Sequence, residues 1–151
     1  MPSLSDPSQA SGSGRSRTGP GLPVGLRATV RVAITEADTA VAMGSGDVPV
    51  LATPRLLALA EAAAVAAVEP QLADGLTSVG TSASLEHRRA VPPGGEIDVE
   101  AELTEVDGQR LVFSFIARAA DTDEDVVIGA GTVERVVVNR AQFIARSRDG
   151  D

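Results

Sequence analysis

The stretch ATPRLLALAEAAAVAAVEPQ, residues 52–71, decides how the rest of the chain is read. From Leu56 to Val68 every residue but one is apolar, and the exception is Glu61. Ala and Leu dominate the run and both are strong helix formers, so it predicts a helix that is apolar on every side. Such a helix offers water no face and must be buried. It falls short of the roughly 20 apolar residues that a bilayer crossing needs, and it carries a carboxylate near its middle. Thr53 and Pro54 open it, Thr as the N-cap and Pro at the first helical position. Pro70 marks its last turn or its exit.

On the C-terminal side, residues 77–91 alternate as a strand does. Val79, Thr81, Ala83, Leu85 and His87 share one face, and Gly80, Ser82, Ser84 and Glu86 share the other. His87 therefore points with the apolar set. After the turn PPGG at 92–95, the segment 96–106 sets Ile97, Val99, Ala101 and Leu103 against an acidic row of Glu96, Asp98, Glu100 and Glu102. Asp107 and Gly108 signal a hairpin into 110–120, whose apolar face is Leu111, Phe113, Phe115 and Ala117. A plain two-residue loop would put Phe113 and Phe115 on the acidic side. The pattern therefore predicts a bulged or odd-length turn that sets Leu103 opposite Phe113. Residues 126–138 are apolar on both faces, as a strand covered on both sides would be, and 141–144 suit a short closing helix.

On the N-terminal side, 25–35 alternates as a half-buried strand, 40–43 is a shorter apolar strand, and 44–49 is a flexible segment before the helix. One long central helix wrapped by an antiparallel sheet of five to six strands is an α+β arrangement, the hot-dog fold. A sheet covers such a helix on one side only. A helix apolar all round therefore predicts a second copy over the rest, in a homodimer or a higher assembly.

Composition bounds the function. The 151 residues, 43% hydrophobic, suit one domain, expected over 23–146 between a disordered tail at 1–22 and a frayed end at 147–151. With no Cys and one His, disulfides, thiolate chemistry and a multi-histidine metal site within a chain are excluded. A net charge of -8, with 13 Arg, no Lys and 21 acids, argues against a partner held through its phosphate backbone, so no nucleic acid is expected. No secretory signal or membrane span is visible, which makes a cytoplasmic protein the economical expectation.

Three residues carry the candidate chemistry: Thr53 at the helix start, Glu61 inside the helix, and His87 on the inward face of the next strand. The segments LATPRLLALAEAAAVAAVEPQL, TSVGTSASLEHRRAVPPGG and IGAGTVERVVV resemble the fluoroacetyl-CoA thioesterase branch of the hot-dog thioesterases, over about residues 26–143. By that resemblance Thr53, Glu61 and His87 fall on the catalytic Thr, Glu and His, and Gly80, followed by Thr81, falls on the glycine whose backbone lies beside the thioester. The segment 44–52 holds no aromatic residue where that enzyme carries aromatic lid residues, so hydrolysis is carried over and a choice of fluoroacetate is not.

The resemblance implies an acyl-CoA thioesterase for a small or medium acyl group, with no metal and no cofactor beyond the coenzyme A of its substrate. Glu61 would activate water or attack directly, with His87 assisting proton transfer. Thr53 and amides near the helix start and Gly80 would orient the substrate or stabilise the oxyanion. Arg88, Arg89, Arg135 and Arg140 are the candidates for the coenzyme's phosphates. Eight helical residues rise about 12 Å, so Thr53 and Glu61 of one chain cannot meet, which predicts two composite sites per dimer. Two other readings stand beside this one: a non-catalytic acyl-CoA-binding module, and a hydratase or dehydratase, whose Asp-x-Asn-Pro-x-His motif is absent here.

Overall fold

Ile97, Val99, Ala101 and Leu103 are all fully buried, so the strict alternation of β3 (Glu96–Asp107) sets the inner face of the sheet. The computed structural model describes residues 21–150. The tail expected over 1–22 therefore lies almost wholly outside the described residues, and Leu22, within its expected bounds, is buried in the core. Around β3 the sheet runs β1 (Arg27–Ala33), β3, β4 (Arg110–Ala119), β5 (Val127–Asn139) and β2 (Leu76–His87), antiparallel throughout. The acidic row of β3 finds partners on its outer face: Arg27 reaches Glu102 at 3.3 Å, and Arg31 donates twice to Asp98 at 2.8 and 2.9 Å.

The long helix α2 (Thr53–Val68) lies chiefly across β3 and β1. It buries Leu56, Leu59, Ala60, Ala63, Ala64, Ala67 and Val68. Its opposite side is uncovered within one chain, with Ala58, Ala62 and Ala66 exposed and Leu57, Glu61 and Val65 half-buried. The inner face of the sheet at β5 and β2 is likewise only touched by the helix.

Four expectations are corrected. The segment 40–43 is a helical turn, α1 (Ala40–Met43), and not a strand, which leaves five strands. Thr39 accepts from the Ala42 amide at 3.2 Å and Gly44 closes the turn at φ 75°, so helix punctuation at both ends outweighs a four-residue apolar run. Leu103 does pair with Phe113, but the turn itself is the two residues Gly108 and Gln109. The extra residue is Thr104, a bulge inside β3 whose hydroxyl donates to the Val112 carbonyl at 3.1 Å. The outer face of β5 is not covered, since Val136 and Val138 are half-buried. The closing helix α3 (Arg140–Arg148) is longer than expected, capped by Asn139, and takes in Ser147 and Arg148 from the end expected to fray.

Candidate active site

The start of α2 is strapped in place by backbone. The Leu51 amide donates to the Val91 carbonyl at 2.8 Å and the Ala52 amide to the Asp38 carbonyl at 2.9 Å. Asp38, itself buried, receives Arg55 Nε at 2.8 Å, the Thr35 amide at 2.8 Å and the Thr35 hydroxyl at 3.1 Å. Burial works against its charge, but the Thr35 amide, the Arg55 guanidinium and the Thr35 hydroxyl together hold the carboxyl below its ordinary value. Ala52, and not Thr53 as the sequence suggested, is the N-cap residue. Thr53 lies within the helix, and its hydroxyl shares a hydrogen bond of 2.8 Å with His87 Nδ1.

A second bulge decides what faces the helix from β2. Gly80 pairs with Arg135 but Ser82 pairs with Glu134, so Thr81 is the extra residue, and its hydroxyl donates to the Glu134 carbonyl at 3.3 Å. Simple alternation sets Gly80 and His87 on opposite faces. The bulge reverses the parity between them, so Ser78 and Gly80 before it, and Ala83, Leu85 and His87 after it, all lie on the helix side opposite the inward residues of β5. A glycine inside a strand was the available signal for this bulge.

Beside Gly80 sits Glu61. Arg135 Nη1 donates to Glu61 Oε2 at 3.1 Å, while Arg135 Nε and Nη2 donate to the hydroxyl and carbonyl oxygens of Ser78, both at 2.8 Å. Arg135 was expected among the phosphate-binding residues, yet it is only 8% exposed and serves as the clamp on Glu61. Burial pushes its pKa down and the Glu61 carboxylate opposes that shift. A Cβ on Gly80 would collide with Glu61 Oε2, so the carboxylate occupies the space that this glycine leaves empty. Ser78 was missed by sequence reasoning.

The site residues thus fall into two clusters on one helix. One is Thr53 with His87. The other is Glu61 with Arg135, Ser78 and Gly80. His87 is bonded to Thr53 and not to Glu61, and its Nε2 is buried with no hydrogen-bond partner among the described residues. An imidazole nitrogen left that way costs roughly 1–3 kcal/mol until a ligand or a neighbouring chain satisfies it. A cleft of about 300 Å³ opens beside this pair, lined also by Ala40, Ser45, Val50, Leu51, Arg88, Arg89 and Ala90. Arg88 is drawn to Glu86 at 3.2 Å at the surface, and Arg140 lies on α3 with its amide donating to the Gly75 carbonyl. Chemically, one cluster offers a carboxylate fixed by a guanidinium, with its second oxygen free among the described residues. The other offers a hydroxyl and an imidazole able to pass or share a proton.

Comparison with known proteins places the chain among thioesterases. The profile of the fluoroacetyl-CoA-specific thioesterase family matches residues 34–141. A fluoroacetyl-CoA thioesterase from Streptantibioticus cattleyicolor is 40% identical over 99 residues, 66% of this chain and 68% of that protein. The solved structure of the fluoroacetyl-CoA thioesterase FlK superposes with a TM-score of 0.78 at 33% identity, covering 87% of this chain and 98% of that one. A Thermus thermophilus thioesterase superfamily member superposes at 0.76 with 26% identity, over 84% of this chain and 91% of that one.

Proposed function

The chain belongs to the fluoroacetyl-CoA-specific thioesterase family and is an acyl-CoA thioesterase, and from that premise we propose that it hydrolyses small or medium acyl-CoAs at two sites, each shared between the subunits of a homodimer. The observation that carries the shared site is the separation of the two clusters along α2. Within one chain the helix rise keeps Thr53 and Glu61 about 12 Å apart, too far for both to act on one carbonyl. A second copy supplies the missing half. The uncovered side of α2, the unpaired outer edge of β2 and the open inner face of β2 and β5 together offer the surface for it.

In that arrangement Glu61 of one subunit, with Arg135 and Gly80 behind it, meets Thr53 and His87 of the other. Glu61 takes the proton of an attacking water, or attacks the thioester carbonyl itself, in which case a water then cleaves the acyl–Glu61 anhydride and releases the acid. The carbonyl oxygen gathers negative charge and is met by donors at the start of α2 or at Gly80; the C–S bond then breaks, and the thiolate leaves and takes up a proton. Thr53 and His87 relay that proton or hold the substrate in line. No resident metal or cofactor takes part in the proposal, and coenzyme A enters only as part of the substrate. Because the cleft beside Thr53 is walled by Ala40, Ser45 and Val50 and by no aromatic side chain, the proposal does not extend to a preference for fluoroacetyl-CoA. A cytoplasmic location is part of the proposal.

Release of free thiol from a panel of acyl-CoAs, fluoroacetyl-CoA among them, tests this reading. Glu61→Gln should lower kcat by about 100-fold or more while far-UV circular dichroism stays unchanged. Undiminished hydrolysis by that variant would remove Glu61 from the chemistry, and tight binding of acyl-CoA without thiol release by the unaltered protein would make it a binding module.

A further inference from the structure

Arg89 differs from its neighbours in what it lacks. Arg27, Arg31, Arg55, Arg88, Arg110, Arg118 and Arg135 each have a carboxylate within 4.0 Å. Arg89, alone among the arginines from Arg27 to Arg135, has none among the described residues, although the sequence holds 21 acids to 13 arginines. It sits at a place where a free cation has a use. Arg89 lines the cleft of about 300 Å³ that holds Thr53 and His87, and it also lines the adjoining cleft of about 430 Å³ over Val91, Ile97 and Ile128. Its backbone is fixed on the ridge between the two, since the amides of Arg88 and Arg89 both donate to the Ile128 carbonyl, at 2.8 and 3.1 Å. Arg140, Arg146 and Arg148 on α3 line neither cleft.

Two residues along the chain from the imidazole, an unpaired guanidinium at the mouth of a thioester site faces whatever anionic part of the substrate lies outside the reacting centre. We propose that Arg89 binds a phosphate of the coenzyme A portion of the substrate, an assignment that rests on the thioesterase reading above. The planar guanidinium matches a phosphate's paired oxygens. Because Arg89 is exposed, the contact is made in solvent, and its effect falls on substrate capture and not on the chemical step. Glu96 and Asp121 line the adjoining cleft without pairing with Arg89, so the phosphate is directed to the side of Thr53 and away from that acidic rim.

Steady-state kinetics on two substrates with the same uncharged acyl group, one the acyl-CoA and the other the acyl-pantetheine thioester that carries no phosphate, test the assignment. Arg89→Ala should raise KM for the acyl-CoA roughly three- to tenfold with kcat unchanged, and added salt should shrink that difference. KM for the acyl-pantetheine should stay at the wild-type value, and Arg89→Lys should recover most of the loss. Arg31→Ala, which removes the same charge from the outer face of the sheet, serves as the control and should leave both substrates unaffected. An equal rise for both substrates, or none for either, overturns the proposal. So does a rise confined to thioesters whose acyl group ends in a carboxylate, since Arg89 would then read the acyl group. If the wild-type protein cleaves neither substrate, the thioesterase reading fails first and separately.

Discussion

Gly80 and Glu61 show how much of the site depends on one absent methyl group. The carboxylate oxygen that meets Arg135 fills the space where a Cβ on residue 80 would stand. Gly80→Ala should therefore displace the carboxylate, and a misplacement of about 1 Å at a reacting group costs on the order of 100-fold in rate. The check is kcat beside a melting curve: kcat should fall by about that factor, with Tm shifted by only a few degrees. Full activity in Gly80→Ala would mean that Glu61 need not stand where it does. Thr53, Glu61 and His87 were legible in the sequence because each is conspicuous: a hydroxyl before Pro, the lone charge in an apolar helix, and the lone histidine. Arg135 and Ser78 were not legible in their roles. Their contact crosses from β5 to β2, and the register that creates it shifts beside the Thr81 bulge, which alternation alone does not fix.

At the scale of elements, the strap from Thr35 to Arg55 sets where α2 begins, and Asp38 is its fastener. The carboxyl is held below its ordinary value, so its bonds contribute fully at pH values above the unfolded carboxylate range and are lost as pH falls through the lowered folded value. Asp38→Asn should cost about 1–2 kcal/mol at neutral pH, a figure reduced for the solvent around Arg55. The gap between variant and wild type should close as pH falls from about 5 toward 2, measured as Tm against pH. Asp98 is held down by the Arg31 hydrogen bond and Glu134 by the Arg110 hydrogen bond, so both proteins lose stability in acid and only their difference reports Asp38. A gap that stays constant with pH would assign the loss to packing. The same strap explains where the element reading failed. The run 40–43 has the hydropathy of a short strand, while Thr39 and Gly44, which cap a helical turn at its two ends, carry the stronger instruction. The hairpin after Asp107 was legible in its pairing, because Leu103 and Phe113 must share the inner face, but not in where the extra residue sits.

The whole molecule is organised by a helix that one chain leaves uncovered on one side and whose length sets its two polar clusters apart. A single sheet buries one side of α2 and leaves Ala58, Ala62 and Ala66 in solvent, while the two polar clusters stand about two turns apart on the same helix. The antiparallel wrap around one long helix followed from alternation and apolar runs, which are local. The proposed second copy is read only from apolar surface left over on one chain, and its placement depends on long-range geometry. A mixture of Thr53→Val and Glu61→Gln proteins, allowed to exchange subunits, tests the shared site most directly. In a two-fold dimer with composite sites, each mixed pair holds one intact site and one doubly altered site, so equal mixing should restore about a quarter of wild-type activity from two proteins that are each nearly inactive. No recovery, with exchange confirmed by mass, would place Thr53, His87 and Glu61 in service of a site built from one chain.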